Sequence, residues 1–267
     1  MLFKRIGIIS LICMLISCIF LVPESVYLVP IVFVASFVAL FLLWAIACII
    51  CTRFIDMRKE YDTHSPFYRF FVNCIVESLT QLMNIRLHVS GLEKLPEEKF
   101  LLVCNHKAAM DPLLTMGVLR KYNMGFVAKK EIYKIPVICR LMHRCYCLCL
   151  DRGNIKEEAK TILRASKYIK EQRASIGIYP EGTRNKEEGL LPFMNGSFKI
   201  AKKANSPIVV AVLRNTEQIS KHAPFKRTDV YLDFVEVLDK EYVISNNTSD
   251  ISERARTLIQ QRLDQST

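Results

Sequence analysis

Two short stretches carry the residue types that chemistry needs. Asn105-His106-Lys107-Ala108-Ala109-Met110-Asp111 offers a histidine and, five residues on, a carboxylate, directly after the apolar run Leu101 to Cys104. Tyr179-Pro180-Glu181-Gly182-Thr183-Arg184 offers a carboxylate, a glycine, a hydroxyl and an arginine at the end of the apolar run Ser175 to Tyr179. The first suits removal of a proton from a hydroxyl. The second suits gripping a phosphate, because a guanidinium fork matches phosphate oxygens.

Each stretch alone has a plainer account. Five residues along a continuous helix turn through about 500°, so His106 and Asp111 would not share a face. Pro112 also disfavours helical dihedrals at Asp111. An irregular turn is therefore needed to fold the carboxylate back onto the imidazole, where it would fix the tautomer and stabilise the imidazolium. The alternative is that Asp111 caps the helix starting at Pro112 and His106 is a solvated loop residue. For the second stretch, Gly182 permits close backbone approach and Thr183 adds a hydroxyl donor. A tight turn with an exposed Arg184 is an equal account.

The elements around these stretches predict how they are positioned. Short apolar runs read as strands at Ile85 to Val89, Phe100 to Cys104, Gly125 to Ala128, Tyr146 to Leu150, Ser175 to Tyr179, Pro207 to Leu213 and Val230 to Val237. Between them lie helical patterns at Pro112 to Lys121 and Lys156 to Glu171, the latter with Ala159, Ile162, Leu163, Ser166 and Ile169 on one face. Ser249 to Leu263 closes the chain as an amphipathic helix. Interleaved strands and helices imply an α/β fold with a mixed, mostly parallel sheet covered by helices. Ligands in such sheets collect beyond the carboxyl ends of strands, where both stretches fall.

Ahead of this domain, Ile6 to Val22 and Leu28 to Cys51 are uncharged runs of 17 and 24 residues. The first is near the lower limit for crossing a bilayer and the second is ample. Pro23-Glu24-Ser25 between them reads as a turn, giving a transmembrane helical hairpin. Lys4 and Arg5 before it, with Arg53, Arg58 and Lys59 after it, place both ends in the cytoplasm at the cell membrane. The expected organisation is a membrane anchor over 1–52, an amphipathic connector helix within 53–90, and a catalytic domain over 91–267. The net charge of +11 calls for an acidic partner class. With an anchor present, anionic membrane lipids and phosphorylated substrates fit better than nucleic acid, for which no recognition motif appears. The ten cysteines are thiols in a reducing compartment. Cys145-x-Cys147-x-Cys149 would place three thiols on one side of a strand, which suits core packing better than tetrahedral zinc.

The two stretches, in this order and about 75 residues apart, resemble blocks of the glycerolipid acyltransferase family. The likeness extends further. Ala128-Lys129-Lys130-Glu131-Ile132, Ile135-Pro136 and Leu150-Asp151-Arg152 look like its second block, and Ser206 to Val212 like its fourth. Tyr179 stands where Phe is commoner, Asn185 where Ser is usual, and Val210-Ala211 where a proline often follows. Met194 to Lys199 looks like the start of the family's glycine-containing helix. The resemblance implies that His106 deprotonates an acceptor hydroxyl, with Asp111 orienting it. The alkoxide then attacks the thioester of acyl-CoA or acyl-carrier protein directly. Glu181, Gly182, Thr183 and Arg184 would hold the acceptor's phosphate, helped by Lys130 and Arg152. It implies no metal and no cofactor beyond the acyl donor. The acceptor implied is a lysophospholipid, lysophosphatidic acid first. Glycerol-3-phosphate, another lysophospholipid or a lyso-aminolipid would keep the mechanism, and an inactive lipid-binding protein is the rival of a different class.

Overall fold

The computed structural model describes residues 2–20, 28–151 and 153–265. Two helices lead the chain, α1 over Leu2–Phe20 and α2 over Val29–Arg53, and they pack side by side. Among the described residues only the Pro30–Arg53 part of α2 is long and apolar enough to cross a membrane; α1 contributes the shorter apolar stretch Arg5–Met14. The expected turn Pro23-Glu24-Ser25 lies outside the described residues, as do Leu21 and Val22 of the expected first span. On α2, Ile31, Val34, Leu42, Leu43 and Ile46 are at least half exposed, so no protein covers this apolar surface.

Helix α3, Pro66–Leu82, follows as the amphipathic connector. It starts where the sequence permits: Ser65 caps it by accepting from the Tyr68 N–H, and Pro66 fills a position with no intrahelical donor to lose. Its Val72 and Val76 face the core, while Phe67 and Phe70 remain about half exposed.

Seven strands form one sheet: β1 (Ile85–Ser90), β2 (Leu101–Cys104), β3 (Gly125–Lys129), β4 (Leu148–Leu150), β5 (Ile176–Ile178), β6 (Ile208–Arg214) and β7 (Thr228–Leu238). Their spatial order is β1-β7-β6-β2-β5-β3-β4. All neighbouring pairs are parallel except β6 with β7, which is antiparallel and carries a bulge at Val210/Ala211. The mixed, mostly parallel sheet read from the sequence is therefore present. Strand alternation divides the core. Leu102, Cys104, Val209, Ala211 and Leu213 face α3 and α4 (Asp111–Val118). Leu101, Val103, Ile208, Val210 and Val212 face α6 (Ile155–Lys170), α7 (Lys199–Ala204) and α10 (Thr248–Asp264). The remaining helices are short: α5 (Pro136–Arg144), α8 (Ile219–His222) and α9 (Lys240–Ser245).

Several boundaries differ from expectation for local reasons. Asp111 is the first residue of α4 rather than its cap; Met110 holds the cap position without a side-chain bond. Strand β4 starts at Leu148, not Tyr146, because Tyr146 has φ +62°, a left-handed conformation that cannot continue a strand. The three thiols therefore do not line one strand face: Cys145 ends α5, Cys147 precedes β4, and both are buried in the core, while Cys149 is half-buried. On α6 the inward residues are Ala165, Ser166, Tyr168 and Ile169; Ala159 and Leu163 are exposed.

Candidate active site

Strands β2 and β5 are parallel neighbours at the centre of the sheet, so the loops that follow them leave the same edge side by side. That is why His106 and the segment after Ile178 meet. Asn105 anchors the first loop. Buried, it donates through Nδ2 to the Leu213 carbonyl and accepts from the Leu213 N–H, both at 2.8 Å, which clamps the end of β2 to β6.

The turn from Asn105 to Met110 is irregular, and helix α4 begins at Asp111 although Pro112 follows it. Asp111 is fully buried, and its Oδ2 accepts from the backbone N–H groups of Lys107 (2.8 Å) and Ala108 (2.9 Å). The same oxygen lies 2.8 Å from His106 Nδ1. An oxygen already accepting two N–H donors carries no proton, so Nδ1 is the donor here and Nε2 keeps the lone pair. Asp111 Oδ1 has no hydrogen-bond partner among the described residues. The imidazole lies flat on Tyr179, with ring centroids 4.2 Å apart and planes 18° apart, and Tyr179 lies in turn on Phe126 at 5.6 Å. Burial, with the Asp111 carboxylate adding to it, pushes the Tyr179 phenol well above its ordinary pKa, so this platform stays neutral.

Glu181 is buried and faces protein backbone. Its Oε1 accepts from the His106 N–H at 2.8 Å and its Oε2 from the Leu191 N–H at 3.0 Å. Asn185 completes the grip: its N–H donates to the His106 carbonyl at 2.7 Å. The backbone of His106 is thus held on both sides by the second loop. Each carboxylate oxygen of Glu181 accepts one backbone N–H, which ties its side chain to the backbone of His106 and Leu191. Asn185 also folds the 185–189 turn, accepting from Glu187 N–H and donating to the Gly189 carbonyl. Its turn-forming role is a signal available in Asn at that position.

A cleft of about 670 Å³ opens beside His106. Gly182, Thr183 and Arg184 line its rim, and Gly182 has φ +74°, where a side chain would strain the turn. Arg184 is exposed and makes no ion pair among the described residues. The rest of the wall is mostly apolar, with Val127, Ile132, Leu150, Ile162, Ile178 and Ile200, and also holds Glu131, Glu158, Thr161 and Ser197. Lys129, not Lys130, belongs to the lining; its Nζ lies 3.2 Å from Thr183 Oγ1. Lys130 is outside the lining and pairs with Asp151 at 2.6 Å, a contact that raises the lysine pKa and lowers the aspartate's. Arg152 lies outside the described residues, and Lys199 is exposed away from the cleft. The arrangement brings together an imidazole bonded to a buried carboxylate, an exposed guanidinium and a mostly apolar cleft.

Comparison with known proteins agrees with this geometry. The acyltransferase family model matches residues 86–214, the span that holds both loops. A 1-acyl-sn-glycerol-3-phosphate acyltransferase from Saccharomyces cerevisiae is 24% identical over 187 residues, 68% of this chain and 61% of that protein. One from Borreliella burgdorferi is 35% identical over 146 residues, 54% of this chain and 56% of that protein. The chain thus spans less than two thirds of the length of either. The crystal structure of the 1-acyl-sn-glycerophosphate acyltransferase from Thermotoga maritima superposes with a TM-score of 0.62 at 20% identity, covering 74% of this chain and 78% of that one, a likeness of fold. The motifs, the sheet that brings them together and these matches agree: residues 86–214 carry an acyltransferase domain similar to those of the glycerolipid acyltransferases.

Proposed function

We propose that this protein transfers a fatty acyl group from acyl-CoA or acyl-carrier protein to the sn-2 hydroxyl of lysophosphatidic acid, giving phosphatidic acid. The observation that carries the proposal is the His106–Asp111 pair at 2.8 Å, opening on a mostly apolar cleft whose Arg184 makes no ion pair among the described residues. His106 Nε2 takes the proton of the acceptor hydroxyl, and the buried Asp111 carboxylate stabilises the imidazolium that results. The acceptor oxygen attacks the thioester carbonyl. The tetrahedral intermediate collapses with loss of the thiolate, which takes the proton back from the imidazolium. Arg184 binds the acceptor's phosphate through its planar fork, and Gly182 and Thr183 shape the turn that carries it. The apolar wall receives an acyl chain.

The acceptor and product are lipids, and the anchor suits them. Helix α2 crosses the bilayer, with α1 packed on it, and Arg53 at its end and the basic residues beyond hold the catalytic domain on the cytoplasmic face. The test is an acyl-transfer assay on membranes enriched in the protein. Labelled acyl-CoA and acyl-carrier protein are offered with lysophosphatidic acid, glycerol-3-phosphate and lysophosphatidylcholine, with His106→Ala as the control. Histidine-dependent phosphatidic acid is the expected product. Transfer to a different acceptor would move the specificity, and turnover retained in His106→Ala would remove it as the base.

A further inference from the structure

Arg69, in the first turn of α3, is only 9% exposed and has no carboxylate partner among the described residues. Its Nη1 donates to the Met124 carbonyl at 2.8 Å and its Nη2 has no partner. A buried cation without a counter-charge is costly. Arg69 forms part of the wall of a second cavity, of about 390 Å³, with His64, Asn73, Arg120, Lys121 and Asn123, and no aspartate or glutamate lines it. Glu77 pairs with Arg120 of this wall at 2.8 Å, which leaves Arg69 and Lys121 uncompensated among the described residues; Asp62 and Glu171 pair with Arg173. Lys121 stacks its ammonium on Tyr122 and has no acid partner. Lys99 close by has a pKa held below its ordinary value, chiefly by burial and further by the charges of Arg69 and Lys121. Positive charge at this cavity is in surplus.

The cavity is separate from the cleft. Asn123 precedes β3, whereas His106 follows β2, and both strands run parallel to β5 between them. The two sites therefore lie at opposite ends of the parallel strands. The cavity is also next to the point where the chain leaves α2. Tyr68, adjacent to Arg69, donates its hydroxyl to the Cys51 carbonyl in the last turn of α2 at 3.0 Å, and Phe67 and Phe70 beside it are about half exposed.

We infer that this cavity binds the phosphate of an anionic phospholipid head group and so fastens the catalytic domain to the bilayer surface. The inference rests on α2 spanning the membrane, which sets the cavity at head-group depth. Phosphate oxygens supply the missing counter-charge to Arg69 and Lys121, and the exposed phenylalanines lie against the acyl boundary.

The experiment uses the full chain in lipid discs and reads thermal unfolding, not turnover. Insertion into discs of phosphatidylcholine alone comes first; a chain that stays out of them defeats the spanning helix, and this inference with it, whatever the acyl-transfer assay gives. Phosphatidylglycerol is then titrated into the discs. Wild type and the distant surface variant Lys203→Gln should be stabilised alike. Lys121→Gln should need about fivefold more phosphatidylglycerol for the same shift, and Arg69→Gln should lose the dependence. Lys121→Gln responding like wild type would overturn the site, even where Arg69→Gln does not fold. An equal shift from inorganic phosphate in neutral discs would overturn the lipid as its source.

Discussion

Glu181 separates two accounts of the second loop, and replacing it with Gln tests them. The variant keeps the size of the side chain and one carbonyl oxygen but turns the other acceptor into a donor. In the structure each oxygen accepts one backbone N–H, from His106 at 2.8 Å and Leu191 at 3.0 Å. One of these charge-assisted bonds must be lost, and the other weakened. A hydrogen bond to a charged group contributes about 1.5–3 kcal/mol. At about 1.4 kcal/mol per factor of ten, displacement of the histidine by that energy would lower kcat roughly 10- to 100-fold. The same loss would lower Tm by roughly 3–12 °C for a domain of this size. The assay is initial rate against lysophosphatidic acid concentration at saturating acyl donor, with a melting curve on the same preparation. A position that holds His106 changes kcat and leaves KM for the acceptor almost unaltered. A rise in KM with kcat intact would refute the positioning role and restore Glu181 to the substrate.

The other expectations concern different parts of the same machinery. Arg184→Ala should raise KM for the phosphorylated acceptor about 10- to 100-fold with little loss of stability, since the residue is exposed; steady-state kinetics checks this. Gly177→Ala should destabilise the domain by about 1–3 kcal/mol, because an added Cβ would lie 2.2 Å from Phe126 Cε1. Phe126 supports Tyr179 and Tyr179 supports His106, so kcat should fall as well; denaturant unfolding and rates on the same sample would show both or neither. Asp233 links β7 to Ser90, Arg214 and Arg262. Burial alone would raise its pKa, but the bonds from Ser90 and Arg214 outweigh burial and hold it below the ordinary 3.8. A depressed folded pKa contributes stability that is present above the unfolded value and disappears as pH falls through the folded one. Asp233→Asn should therefore be destabilising at pH 7, and its deficit should shrink below about pH 4; Tm against pH is the measurement.

Much of the site was legible because its geometry follows from chain rules. The spacing of His106 and Asp111 left a bonded pair and a solvated histidine with a capping aspartate both open, and the structure joins His106 to Asp111. The meeting of the two loops follows from β2 and β5 being parallel. The contacts of Glu181 were not legible, because its partners are backbone groups of His106 and Leu191 that no side-chain pattern announces. Lys129 and Lys130 illustrate another limit. Adjacent residues at a strand end point to opposite sides, and the sequence does not say which side meets the cleft. Helix α5 was overlooked because its nine residues are short beside the motif that precedes them, and the left-handed Tyr146 that trims β4 carries no glycine or asparagine to mark it.

The pairing of β1 with β7 has a consequence for how the chain is made. Ser90 lies beside Asp233, 143 residues later, so at about 5–20 residues per second the ribosome needs roughly 7–30 s to deliver the partner of β1. Throughout that interval α1, α2 and α3 have emerged and β1 lacks the strand it pairs with. The same pairing defines the smallest piece that can stand alone. A fragment cut at residue 214, where the family match stops, would expose unpaired hydrogen-bonding edges on both β1 and β6. Bare edges of that kind invite pairing with other chains. The last 50 or so residues, which carry none of the motifs, are therefore what closes the enzyme.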